Sequence, residues 1–125
     1  GQGKDATESG VLDAGYSFKQ RFEGEPGTNP EELIGAAHAS CFSMALSMIL
    51  GEKGYTADAI DTQAKVTLSQ SDAGFDISSI HLDVEASVSG ADDAAFQEAA
   101  ETAKANCPVS KVLKADITMS AKLKG

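Results

Sequence analysis

The sequence predicts an α+β fold: a single domain in which one antiparallel sheet packs against a long buried central helix. Three observations carry that expectation. Leu33 to Leu50 run eighteen residues without a charge and are apolar on nearly every helical face. Two later stretches, Phe75 to Val88 and Ala115 to Leu123, alternate apolar and polar residues with the two-residue period of a strand. Between them lies an alanine-rich helical segment, so strands and helices are segregated. At 125 residues the chain fits one domain, 1–125, large enough to bury a core without disulfide staples.

Taken in order, the N-terminal third is the least patterned. Gly10, Gly15, Gly24 and Gly27 separate short apolar groups (Val11, Leu12; Tyr16, Phe18), which predicts one or two strands and a loop. Asn29 then has the chemistry of an N-cap, Pro30 suits the first helical position, and Glu32 completes a capping-box spacing. The central helix is expected from about Pro30 to about Lys53, with Gly54 as its stop. A helix apolar all round must be covered on all sides. Ala64, Val66 and Leu68 alternate as a strand, SDAG at 71–74 turns the chain, and Phe75, Ile77, Ile80, Leu82, Val84, Ala86 and Val88 form the next. The phase slips by one at Ser78–Ser79, the signature of a bulge. A helix follows from about Asp92 to Ala105, then a second cap and short helical turn in ANCPVSKVL, then the last strand.

The formal net charge is −9, with acidic residues spread in mixed company, which argues against nucleic acid and anionic membrane as partners. Gly35, His38, Ser40, Ser43 and Ser47 interrupt the uncharged run, Glu32 and Glu52 flank it, and no basic anchor sits at either edge. A core helix is therefore expected in preference to a membrane span. The first ten residues, GQGKDATESG, lack the apolar centre of an export signal, which points to a cytoplasmic protein.

Two cysteines, Cys41 and Cys107, lie 66 residues apart, in neither a CxxC pair nor a zinc-ribbon spacing. A free cysteine mid-helix such as Cys41 is most often a small apolar side chain. Cys107 precedes Pro108 at an expected helix start, where unpaired N–H groups favour a thiolate, so position alone makes it the more reactive-looking thiol. Arg21 is the only arginine in the chain; it is either a surface charge or a planar fork suited to a thiolate or carboxylate. Glu31 and Glu32 serve the helix dipole in the plain reading. His38 and Cys41, three apart, share a helix face and suit a Cys–His nucleophile or half a metal site. No further His or Cys lies at helical spacing, so no metal and no cofactor are expected.

Together, TESGVL (7–12), RFEGEPGTNPEELIGAAHASCFSMALSMIL (21–50), DAGFDI (72–77) and CPVSKVLKADIT (107–118) resemble the osmotically inducible OsmC and organic hydroperoxide resistance (Ohr) family, thiol-dependent peroxidases of bacteria, and its OsmC branch most of all. The resemblance implies an OsmC-like fold in an intertwined homodimer. It implies that Cys41 is the peroxidatic thiol and Cys107, opening the CPVS motif, the resolving one. Glu31 falls on the glutamate of the NPE triplet and Arg21 on the family's partner arginine. The substrate implied is an alkyl or fatty-acid hydroperoxide, and the reductant a dithiol, with a lipoyl protein as the Ohr precedent. Relatives usually carry a further strand ahead of TESG; GQGKDA stands there instead, so either a leading segment is absent or the sheet is shorter at one edge. A dimeric binding protein for a small lipophilic ligand, without turnover, is the alternative reading.

The chemistry sets its own requirements. Peroxide attack needs the thiolate, which an apolar helix disfavours by removing water. A guanidinium about 4 Å away at an effective dielectric of about 20 offsets roughly 4 kcal/mol of that. Burying Arg21 needs a carboxylate beside it, and Glu31 fits. Glu31 and Cys41 are ten residues apart on one helix, about 15 Å along its axis, so the glutamate is expected from a second subunit.

Overall fold

The computed structural model describes residues 2–17 and 28–124. Strand β1 (Gln2–Ala6) and strand β2 (Asp13–Ser17) form an antiparallel hairpin, Gln2 opposite Ser17 and Ala6 opposite Asp13. GQGKDA thus supplies a strand directly ahead of TESG, where none was expected. The hairpin also fixes the entry to the central helix. The Thr28 hydroxyl donates to the Asp5 carboxylate at 2.8 Å and the Thr28 N–H donates to the Gly15 carbonyl at 3.1 Å.

Helix α1 (Pro30–Glu52) starts as its sequence dictates: the Asn29 side chain accepts from the Glu32 N–H at 2.7 Å, with Pro30 in the first turn. It ends where Gly54 takes the left-handed φ of 87° that a side chain would resist. Its buried residues, Gly35, His38, Phe42, Leu46 and Leu50, recur at helical spacing and form one stripe packed on β3 (Thr56–Ser71), α2 (Asp93–Asn106) and α3 (Pro108–Val112). The described residues of one chain cover one face of the helix, and Met44 and Met48 on the other are 74% and 62% exposed. By length and a mean hydropathy of 1.7 the helix could cross a membrane, but its buried stripe belongs to the protein core.

Strands β3 and β4 (Gly74–Ser89) pair antiparallel through a tight turn at Asp72–Ala73. The bulge falls at Ser78 as the phase slip requires: Thr67 faces Ser79 and Leu68 faces Ile77. A second register shift at Asp58 lets β3 begin at Thr56, earlier than its alternation indicated. The wholly antiparallel sheet is also corrected. β5 (Asp116–Leu123) runs parallel to β4, Ile80 beside Ile117 and Ala86 beside Leu123, in the order β3-β4-β5. Parallel neighbours need a crossover of a dozen or more residues, and α2 with α3 supplies it. The inner face of β4 (Ile80, Leu82, Val84, Ala86, Val88) meets Phe96, Ala99, Ala100 and Ala103 of α2 in one core. The outer face, with Asp61, Lys65, Asp83, Glu85 and Lys122, is exposed.

Candidate active site

Pro108 is the residue that builds the site's second half. It disfavours helical geometry in the residue before it, so Cys107 turns extended (φ −63°, ψ 138°) and closes α2. The same residue then caps α3: the Cys107 N–H still donates to the Ala103 carbonyl at 2.9 Å, while its sulfur accepts from the Ser110 N–H at 3.4 Å. Cys107 is only 1% exposed and belongs to the apolar core.

Cys41 sits in the middle of α1, partly buried and packed against the same core cluster. Both cysteines are free thiols. One turn earlier on that helix is His38, fully buried. Its Nε2 lies 2.7 Å from Ser110 Oγ, and Ser110 Oγ lies 3.0 Å from Cys107 Sγ. A continuous polar chain therefore runs from α1 to the sulfur of Cys107 through an otherwise apolar interior. Burial pushes the His38 pKa below its ordinary 6.5, because a charged ring would lose its water, so the ring is neutral near pH 7. Its Nδ1 has no hydrogen-bond partner among the described residues. Ser43 Oγ and Thr62 Oγ1, 2.7 Å apart, tie the same helix to β3 just past Cys41.

Of the other expected site residues, Glu31 is in the first turn of α1, partly buried, beside a shallow hollow it shares with Ala64, Val66 and Leu68. It stands ten residues before Cys41, so the two are about 15 Å apart along one chain's helix. Arg21 lies outside the described residues. No cluster of three potential metal ligands occurs among the described residues. A hollow of about 710 Å³ on the outer sheet face is lined by Asp61, Gln63, Asp83, Glu85, Ser120 and Lys122 and by none of the candidate residues.

Sequence reasoning paired His38 with Cys41 from their spacing and passed over Ser110. The available signal was the third residue after Cys107: a hydroxyl there is where a helix cap and its sulfur meet. Its contact with His38 spans 72 positions, which no local pattern encodes.

The sequence profile of OsmC-like proteins matches residues 22–122. The chain is 58% identical over 125 residues to peroxiredoxin OsmC of Escherichia coli (strain K12), covering 99% of this chain and 87% of that protein. It is 31% identical over 120 residues to the organic hydroperoxide resistance protein OhrB of Bacillus subtilis (strain 168), covering 94% and 86%. The crystal structure of B. subtilis OhrB superposes with a TM-score of 0.71 at 25% identity, over 99% of this chain and 96% of that one. An OsmC-like protein of unknown function from Vibrio cholerae reaches a TM-score of 0.77 at 16% identity, over 94% and 82%, a likeness of fold alone.

Proposed function

The chain belongs to the OsmC-like family, and from that premise we propose that it is a cysteine-based peroxidase that reduces organic hydroperoxides to alcohols. The observation that supports it is that two free thiols border the same apolar core, Cys41 partly buried against it on the central helix and Cys107 buried within it at a helix junction. In the proposed cycle the Cys41 thiolate attacks the distal oxygen of the hydroperoxide, the O–O bond breaks, and the alkoxide leaves as alcohol after taking a proton. Cys41 is left as the sulfenic acid. Cys107 then attacks that sulfur, water leaves, and a Cys41–Cys107 disulfide remains for an external dithiol to reduce. A lipoyl-bearing protein is the dithiol we favour, and a reducing cytoplasm the compartment.

On sequence grounds we assign Arg21 to hold the Cys41 thiolate and the developing oxyanion, and Glu31 to brace Arg21. One chain cannot bring Glu31 to Cys41, so a homodimer with antiparallel α1 helices completes the site. Setting Glu31 of one copy level with Cys41 of the other places the two-fold axis at Ala36. The exposed face there is small and uncharged (Ala36, Ala37, Ser40), which permits close helix approach. The uncharged, largely apolar run that carries Cys41 supports alkyl or fatty-acid hydroperoxides as substrates in preference to hydrogen peroxide.

Turnover of tert-butyl hydroperoxide and hydrogen peroxide, with dihydrolipoamide and thioredoxin in parallel, tests the reading. The alkyl substrate with dihydrolipoamide should be fastest. Cys41→Ser should abolish turnover. Cys107→Ser should permit a first oxidation of Cys41 but no recycling through a disulfide. Parent-like turnover by both variants would refute the thiol cycle.

A further inference from the structure

We propose that Ser110, oriented by His38, directs a hydrogen bond onto Cys107 that readies its sulfur to attack oxidised Cys41. This rests on the reading of Cys107 as the resolving thiol. That thiol faces a difficulty of its own. At 1% exposure it is surrounded by core side chains, yet the species that attacks a sulfenic acid is the thiolate, which needs a donor or solvent to carry its charge. Helix α3 is too short, at five residues, to supply a substantial dipole. Among the described residues two donors of one residue remain: the Ser110 N–H at 3.4 Å and the Ser110 hydroxyl at 3.0 Å.

A serine hydroxyl has one proton and two acceptor sites, so the hydroxyl helps the sulfur only if something fixes which way it points. His38 does so. A neutral imidazole carries one N–H. Placed on Nδ1, that hydrogen would be a buried donor without a partner among the described residues; placed on Nε2, it points to Ser110 Oγ, 2.7 Å from that nitrogen. A stranded N–H is the costlier arrangement, so the network assigns the proton to Nε2. His38 then donates to Ser110 and occupies one of its acceptor sites, leaving the Ser110 O–H free to donate to Cys107 Sγ. Donors linked head to tail polarise one another, which strengthens the bond that reaches the sulfur. Burial keeps the ring neutral, and the scheme needs no cation on it.

The step balances. Cys107 first releases its proton to solvent, with the resulting charge held by the two Ser110 donors. The thiolate attacks the sulfur of the Cys41 sulfenic acid, the S–S bond forms, the S–O bond breaks, and the departing hydroxide takes a proton to leave as water. His38 ends as it began. Ser110 touches the reacting atom; His38 acts through Ser110 and is a positioning residue.

The test separates the two halves of a single turnover. Reduced protein receives one equivalent of tert-butyl hydroperoxide, and the Cys41 sulfenic acid is followed by dimedone trapping and the disulfide by mass spectrometry. Ser110→Ala, which removes one hydroxyl, should prolong the sulfenic acid at least about tenfold, the worth of one hydrogen bond to a charged group. Formation of the sulfenic acid should stay within about twofold of the parent, since Ser110 bonds to Cys107 and not to Cys41. Ser110→Thr, which keeps the hydroxyl, should recover the resolving rate. His38→Leu should slow resolution as Ser110→Ala does, and His38→Gln, whose amide can still donate, should recover most of that loss. Parent-like resolution in both Ser110→Ala and His38→Leu would overturn the proposal. So would a His38→Gln as slow as His38→Leu, which would make the ring a proton acceptor instead. If the parent itself forms no Cys41–Cys107 disulfide, the assignment of Cys107 fails first, before the Ser110 variants are compared.

Discussion

The depth at which α1 sits on the sheet is set by Gly35, and substituting that residue gives a worked test of the architecture. A Cβ built there would lie 3.1 Å from the Ala64 carbonyl oxygen and 3.3 Å from Val66 Cγ2. Both contacts are tighter than ordinary packing, and the oxygen belongs to a strand locked to Leu82 on its neighbour. Alanine should gain about 1 kcal/mol in helix propensity over glycine. Forcing a methyl against the strand should cost about 1–3 kcal/mol, because the helix must lift away. Gly35→Ala is therefore expected to destabilise by about 0–2 kcal/mol. The same helix contains its own control. Gly51 has nothing within 4 Å of the added Cβ, so Gly51→Ala should stabilise by up to about 1 kcal/mol. Urea unfolding of the two variants, read as a shift in midpoint at unchanged slope, measures the contrast. Equal stabilisation by both would refute the claim that the helix rests directly on β3. Because His38 and Cys41 are on the same helix, Gly35→Ala should also slow disulfide formation by stretching the 2.7 Å contact between His38 and Ser110.

Three further outcomes are expected. His38 has a folded-state pKa below its unfolded value, so the unfolded chain binds the proton first. Stability is then intact above about pH 6.5 and lost as pH falls from there through the folded value, with a slope of at most about 1.4 kcal/mol per pH unit; urea midpoints between about pH 7.5 and about pH 5.5 should show a steeper fall in the parent than in His38→Gln. Phe42→Ala, at a side chain with no exposure, should cost about 3–5 kcal/mol in the same assay. Ala36→Lys, on the exposed face of α1 where the proposed two-fold axis crosses it, should shift the protein from dimer to monomer on a sizing column, and an unchanged elution volume would count against the proposed pairing.

The α1 boundaries were legible because they are local chemistry: Asn29 and Pro30 at one end and Gly54 at the other specify the helix without reference to the rest of the chain. The Ser78 bulge was legible for the same reason, as a slip in alternation. The direction of β5 was not, since Ile117, Met119, Ala121 and Leu123 alternate identically whether the strand runs with or against β4. The early start of β3 was hidden because Asp58 breaks the phase that would have shown it. At the site, Cys107 was placed correctly at a helix start from Pro108 alone. The partner of His38 was not readable, because spacing on one helix pointed to Cys41 whereas the ring turns toward a serine on the crossover.

Strand β3 borders the sheet, and its sixteen residues have no second neighbouring strand among the described residues. A border of that length offers unpaired amides and carbonyls to any extended peptide that approaches it. Asp58, Asp61 and Lys65, all exposed along it, act as gatekeepers whose charges make stacking of like chains repulsive or out of step. Neutralising them together should leave the fold intact and promote fibril formation, read by thioflavin T fluorescence.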